Sequence, residues 1–468
     1  MDGNKFTRRK FVQQSMLFAG VGALAACTPS QPPAPQAETP EKAAEVATEA
    51  PPTAQPAPPA EAVSMRYWHL WTTPEVIKDW QNSEVFKEMT KGATWELLDG
   101  VGFEKQLTAV AGGDAPDAIS FFDYMHWFLK DLCLPVTDYV SSSNVVKLDD
   151  YLPNMVEPAT VDGQLLGVAA VECYNRYGLN INSRQAGEAG LDMSKAPLTW
   201  DEMYEWHKAL TVKDNAGNIK VVGYDPYGEM AGQYQSMVAW WPAVSVGIIY
   251  YDNNTHKYNF NDPKLVDFVE QMTKFYDLIG PDNMTAFRNS FGQWLVDITE
   301  EAISMTVNGY WMYGQTYQAK PEVAKSWKPF WPPVPEYRRG TKIAHPSPHY
   351  VSIVKGTKYP DHAFHILEYI YSDDGAGVCW NRMGWLPARK SFIKSVDATR
   401  YPNLEWWLTS INEATDFSQV PQDPLSEINR QKWVELREAV FRHTKTAQEA
   451  MDEMQAAATE EYGKQFGG

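Results

Sequence analysis

Apolar and polar positions along the chain fall into short blocks whose period switches repeatedly between two and about 3.6. Val63–Trp71 (VSMRYWHLW) is dense in apolar and aromatic residues and predicts a first strand. Thr73-Pro74 then opens a helix through about Met89. Pro74 takes the first helical position, where a missing N–H is harmless, and Val76, Ile77, Trp80 and Phe86 recur at roughly helical spacing. Thr94–Leu98 predicts a second strand. Phe103–Ala111 predicts a second helix, with Phe103, Leu107, Val110 and Ala111 on one face and Gly112-Gly113 as its stop. Ala118–Phe122 predicts a third strand. This β-α-β-α-β order implies a parallel sheet with right-handed crossovers. Ligands of open α/β sheets bind beyond the carboxyl ends of strands, which singles out Trp68 and Trp71 after the first strand and Asp123 after the third.

Two further β-type runs, Leu165–Val171 and Tyr174–Ile181, flank a lone carboxylate, Glu172, which must find donors or water because unpaired desolvation is costly. Thr199 is an N-cap candidate, with Asp201 and Glu202 in the first turn, where the helix dipole favours negative charge. From Thr199 to about Met312 the pattern is mainly helical, including a helix from Asp262-Pro263 through Leu278. Trp241 sits in an apolar run before a Tyr/Asp/Asn turn at Tyr250–Thr255. A β-type run at Ala302–Val307 ends in Asn308-Gly309-Tyr310-Trp311. A Pro/Trp-rich connection (Trp327–Pro335), a strand at Tyr350–Val354, a helix at Asp361–Tyr371 and a turn at Gly384–Arg389 follow. Ser426 to about Phe466 is predicted helical.

At 468 residues the chain exceeds what one core usually fills, so two domains are expected. A net charge of −18 argues against nucleic acid or an anionic membrane surface as a partner. The four cysteines (Cys27, Cys133, Cys173, Cys379) show neither CxxC nor metal-ligand spacing, and the pairs His345/His349 and His362/His365 lack a third ligand, so no metal and no cofactor are predicted. Neither GxSxG nor GxxxxGK[ST] occurs.

The N-terminus carries an address. Arg8-Arg9 and an apolar run from Met16 precede Leu24-Ala25-Ala26-Cys27, a signal peptide (1–27) resembling a twin-arginine export signal with a bacterial lipobox. Cys27 would carry the lipid. Residues 28–63 hold ten Pro and ten Ala and no aromatic, a composition that cannot bury enough apolar surface to order itself, and so form a tether. The expected location is the outer face of the cytoplasmic membrane or the periplasm, with the membrane engaged through the lipid only.

Four ordered motifs carry a family resemblance: Asp162–Val168 with the stretch to Trp206, Ala111-Gly112-Gly113-Asp114-Ala115-Pro116-Asp117-Ala118, Ala302–Trp311, and Gly384-Trp385-Leu386-Pro387-Ala388-Arg389. Together they resemble the extracellular solute-binding proteins of ABC importers, of the sugar-binding, maltose-binding-protein-like type. Trp68-His69-Leu70-Trp71 stands where the maltose type has an Asp-Lys pair, so a maltose-like hydrogen-bond pattern is not expected there. The resemblance implies a periplasmic-binding-protein-like α/β fold: two lobes, each discontinuous in sequence (64–172 with 338–375, and 173–337 with 376–468), closing on a ligand in the cleft between them. It further implies a monomer that hands a carbohydrate to the transmembrane subunits of an ABC permease. Residue by residue it assigns Glu172, Asp123 and Trp311 to the cleft.

A pyranose presents C–H faces that aromatic rings cover and hydroxyls that carboxylates bind. Trp68, Trp71, Asp123, Glu172, Trp241, Trp311, Tyr350 and Trp385 are therefore the candidate ligand-binding residues. Glycoside hydrolysis by paired carboxylates is the rival chemistry.

Overall fold

Two five-stranded sheets organise the described residues of the computed structural model, which are 63–121, 124–169, 171, 174–175, 178–226, 241–252, 254–291, 295–346, 349–417 and 423–467, with 241–243 described by backbone only. In chain order their strands are β1 (Val63–Trp68), β2 (Ala93–Leu98), β3 (Ala118–Phe121), β4 (Val168–Ala169), β5 (Gly178–Asn182), β6 (Val212–Lys213), β7 (Ile219–Tyr224), β8 (Ile303–Asn308), β9 (Trp327–Phe330) and β10 (Tyr350–Ile353). The first sheet runs β2-β1-β3-β10-β4 and the second β9-β5-β8-β7-β6. As the βαβαβ pattern predicts, β1 is parallel to both β2 and β3. β10 returns antiparallel between β3 and β4. In the second sheet β8 lies parallel to β7 and antiparallel to β5.

Several elements differ from the pattern for identifiable reasons. The helix expected from Thr73 to Met89 is two helices, Pro74–Asn82 and Glu84–Met89. Ser83 breaks it with an extended backbone, and its hydroxyl accepts from the N–H groups of Val85 and Phe86 as a fresh N-cap. In the helix Phe103–Ala111, Phe103, Leu107 and Val110 are only half-buried, and the fully buried residue is Gln106. Its amide donates to the carbonyls of Val101 (2.8 Å) and Ser120 (3.2 Å), which makes a polar core residue tolerable. The stretch from Thr199 to Met312, read as mainly helical, contributes β6 and β7 as well as β8 to a central sheet. The Pro/Trp-rich connection begins as β9, an edge strand, and the edge is where Pro329 does least harm to the ladder. The C-terminal helical stretch is two helices, Ser426–Phe441 and Ala447–Phe466, the second opened by a Thr446/Glu449 capping box.

The strands of the first sheet come from residues 63–169 and 350–353, and those of the second from 178–330. The helix Asp373–Met383 packs against Pro74–Asn82, where the Trp80 indole N–H donates to the Gly375 carbonyl (3.0 Å) and Arg382 pairs with Asp79 (2.6 Å). A lobe boundary at residue 375 would therefore cut a continuous helix.

Asp225, the residue directly after β7, is buried within electrostatic reach of a second buried acid, Asp297. Asp225 is clamped by both arms of Arg288 (2.6 and 2.7 Å) and by the Tyr276 hydroxyl (2.9 Å). Asp297 has no such clamp: burial, followed by the Asp225 charge, lifts its pKa to about 7, while the Ile298 N–H opposes the rise. A folded-state pKa above the unfolded value means that the native state binds the extra proton, so stability declines as pH rises from about 4 through 7. Asp297→Asn should flatten that decline. The check is the melting temperature of both proteins from pH 5 to pH 8, where the variant is expected to gain progressively on wild type.

Candidate functional site

The chain passes between the sheets by connections that meet one another. It leaves β4 at Ala169 and enters β5 at Gly178, and it returns between Phe330 of β9 and Tyr350 of β10. The two passages pair at Asn175 and Pro346, and the His345 N–H donates to the Asn175 side-chain oxygen (2.8 Å) in a fully buried setting. The turn Gly384–Arg389 joins the same place. The Leu386 carbonyl accepts from the Tyr174 N–H (3.3 Å) and the Tyr310 hydroxyl (3.2 Å), while the Leu386 N–H donates to that same hydroxyl (2.9 Å).

Around this junction the strand ends present their side chains. The end of β1 and the bend after it carry four aromatic side chains, Tyr67, Trp68, His69 and Trp71. Tyr67 and His69 go to one face, where the phenol meets His69 Nδ1 at 2.5 Å and burial drops the imidazole pKa to about 3, keeping it neutral. Trp68 is the inward tryptophan of the candidate pair: it is buried, with Lys105 of the adjacent helix 5.6 Å from its ring. Trp71 is half-buried and lies 6.2 Å from the His349 ring, which in turn is 5.3 Å from His69. The structure thus brings Trp71 and His349 together at the end of the first sheet.

Tyr350 is placed differently from expectation. Its ring packs against Tyr124 (4.8 Å) and Phe128, and its hydroxyl donates to the Met155 carbonyl (2.9 Å), so it is a core residue with its polar end committed.

On the second sheet, β8 ends in the Asn308-Gly309-Tyr310-Trp311 turn. The Asn308 side-chain oxygen accepts from the Gly309 N–H (2.8 Å), and the Trp311 ring lies directly over Gly309, where an added Cβ would stand 2.2–2.6 Å from its carbons. Tyr310 packs edge-on to both Trp311 (5.2 Å) and Tyr174 (5.5 Å). Trp311 is 2% exposed and Trp385, next to the Leu386 junction, 6%. Asp123 and Glu172, the Trp241 side chain and Cys27 lie outside the described residues.

Three residues escaped the sequence reading. His349 reads in the sequence as half of a metal pair, although it directly precedes a predicted strand. Asp225 follows β7, a strand that the helical reading of the middle region obscured. Tyr174 opens a predicted β run, yet it serves as a joint: its hydroxyl donates to the Trp407 carbonyl (2.8 Å). Among the described residues no group of three or more metal-ligating side chains converges, and no helix is long and apolar enough to cross a membrane.

Two α/β bodies joined by crossing segments, with strand ends gathered at the joint, define the periplasmic-binding-protein-like fold. Residues 84–405 match the family described as bacterial extracellular solute-binding protein, and the chain belongs to that family. No curated protein sequence matches it. Among solved structures it is similar to CpMnBP1 with mannotriose bound (18% identity, TM-score 0.73, covering 85% of this chain and 100% of that one). It is also similar to the sugar-binding protein MalE of Xanthomonas citri (18%, TM-score 0.64, 85% and 97%). A third is the MalE maltose/maltodextrin-binding domain of Bdellovibrio bacteriovorus bound to maltotriose (17%, TM-score 0.65, 85% and 99%).

The seat of Trp311 is testable. Gly309→Ala should push the indole out of place, lowering stability by about 1–3 kcal/mol, as overpacking does. It should also shift the tryptophan emission of the folded protein. Unchanged emission and melting temperature would show that the ring is not fixed by Gly309.

Proposed function

We propose that this protein is the substrate-binding lipoprotein of an ABC importer. In this reading it captures a sugar or oligosaccharide by closing two lobes about the crossing segments and presents it to a membrane permease. The observation that carries the reading is the junction of Asn175, Pro346 and Leu386, which leaves aromatic strand ends from both sheets on either side of a shared joint. Membership of the solute-binding family and the sugars named with the similar structures support it. Trp71 and Trp311 would cover the C–H faces of the ligand, and Asp123 and Glu172 would accept from its hydroxyls. The His349 ring beside Trp71 adds a nitrogen-bearing group to the first wall. Binding without turnover separates this reading from a hydrolase, which would release shortened products from the same oligosaccharides.

Closure and ligand class are read together in one experiment. A thermal-shift panel of mono- and oligosaccharides should find a stabilising ligand, and small-angle scattering with that ligand should show a smaller radius of gyration. Trp71→Ala should weaken binding at least about tenfold, as truncation of an aromatic anchor does, and Glu172→Gln should weaken it with the apo fold intact. Tight binding with no compaction would remove the hinge from the reading.

The address is tested separately. Cys27 would be the lipidated first residue of the mature chain, and Cys27→Ala should abolish lipid labelling and membrane association in cell fractions. Wild-type protein recovered without lipid would overturn that part of the proposal.

A further inference from the structure

On the surface of the folded body lies a groove of about 560 Å³ that the sugar-binding reading does not use. Tyr317 and Gln318 line it from the helix Trp311–Ala319, which follows β8 of the second sheet. Asn381 and Arg382 line it from Asp373–Met383, the helix that packs on Pro74–Asn82. Arg400 and Tyr401 complete it.

Two features make this groove chemically unusual in a chain of net charge −18. The first is Arg400. Its guanidinium sits 5.2 Å from both the Trp380 and the Tyr401 ring centroids and donates to the Asn381 side-chain oxygen and carbonyl, with no carboxylate at ion-pair distance among the described residues. Asp397, the acid that feels its charge, bonds Thr399 instead. Arg382 is ion-paired through its Nε–H with Asp79 and also feels the Glu75 charge, so its terminal amino groups are a weaker second donor and Arg400 is, among the described residues, the groove's uncompensated cation. The second is Tyr401, 6% exposed, whose hydroxyl has no partner there. An unpaired phenol hydroxyl in so dry a place is unfavourable unless a ligand or water meets it.

Planar guanidinium groups held by aromatic faces are pre-organised to bind oxyanions through paired N–H donors. The Gln318 and Asn381 amides beside them supply further hydrogen bonds. We propose that the groove lined by Arg382, Arg400 and Tyr401 is a second binding site, for a small molecule carrying a phosphate or carboxylate group. It differs from the sugar site in chemistry: its lining residues sit on helices and loops, and its recognition is cationic, although the helix that carries Tyr317 begins at Trp311.

The test titrates the full folded body with inorganic phosphate and, separately, with succinate, holding ionic strength constant with chloride so that general screening is removed. Saturable stabilisation in a melting experiment, with a change in tryptophan emission from Trp380, is expected for at least one of the two, and the stronger arm tells phosphate from carboxylate. Arg400→Gln should weaken that response at least about tenfold, whereas Lys91→Gln, a loss of charge elsewhere on the surface, should leave it unchanged. Circular dichroism of Arg400→Gln confirms folding, and Arg382→Gln, at an exposed position, serves as a second reading if that variant does not fold. No saturable response to either anion, or an equal response in the folded arginine variants, would overturn the proposal.

Discussion

The amide of Asn175 is the point on which the arrangement of the two sheets depends. Its side-chain oxygen takes the His345 N–H inside a fully buried environment, where a missing partner would be expensive. That bond holds the outgoing and returning passages side by side. A displacement of one sheet relative to the other therefore has to be absorbed by the few residues around this pair, because the strands on either side are locked into ladders by their registers. A joint of this kind favours rotation of whole bodies over continuous deformation, since packed interiors repack poorly in small steps.

Tyrosine hydroxyls reinforce the joint from the second-sheet side. Tyr310 both donates to and accepts from Leu386, and Tyr174 donates to the Trp407 carbonyl. Their rings meet edge to face at 5.5 Å, and Tyr310 carries Trp311 beside it. The same residues that tie the Gly384–Arg389 turn down thus also set the position of a candidate ligand-stacking ring. In the proposed reading, movement at the joint and the geometry of the candidate wall would be coupled through a shared side chain, which is the physical requirement for ligand contacts to bias one arrangement over another.

Much of this was legible in the sequence, and the rest was hidden for definable reasons. The first sheet announced itself because its strands are apolar runs punctuated by Thr73-Pro74, Gly112-Gly113 and Pro116-Asp117, and the observed strands begin or end within about two residues of the expectation. β7 was missed because Ile219–Tyr224 is a short run following a polar turn, with helical stretches on both sides. With it went Asp225, although the strand-end rule would have flagged that residue at once. Tyr350 was flagged by position and turned out to be a core residue, because a side chain's direction at a strand's first residue depends on register, which period alone leaves open. Gln106 shows the converse: polarity predicted exposure, and two nearby carbonyls reversed it.

The extent of the folded body follows from pairing rather than from similarity. The family match begins at residue 84, yet β1, ending at Trp68, lies between β2 and β3 and holds both by parallel ladders. Without it the first sheet would be split. The match ends at residue 405, but the helix Ser426–Phe441 lays Phe441 flat on Tyr276 with ring centroids 3.8 Å apart. Asp423 takes the Tyr258 hydroxyl and the Asn429 amide in a buried cluster. These contacts tie the C-terminal helices to the layer behind the second sheet. The cooperative unit therefore runs from Val63 through the helix ending at Phe466, and residues beyond the recognisable family segment hold up both walls of the proposed cleft.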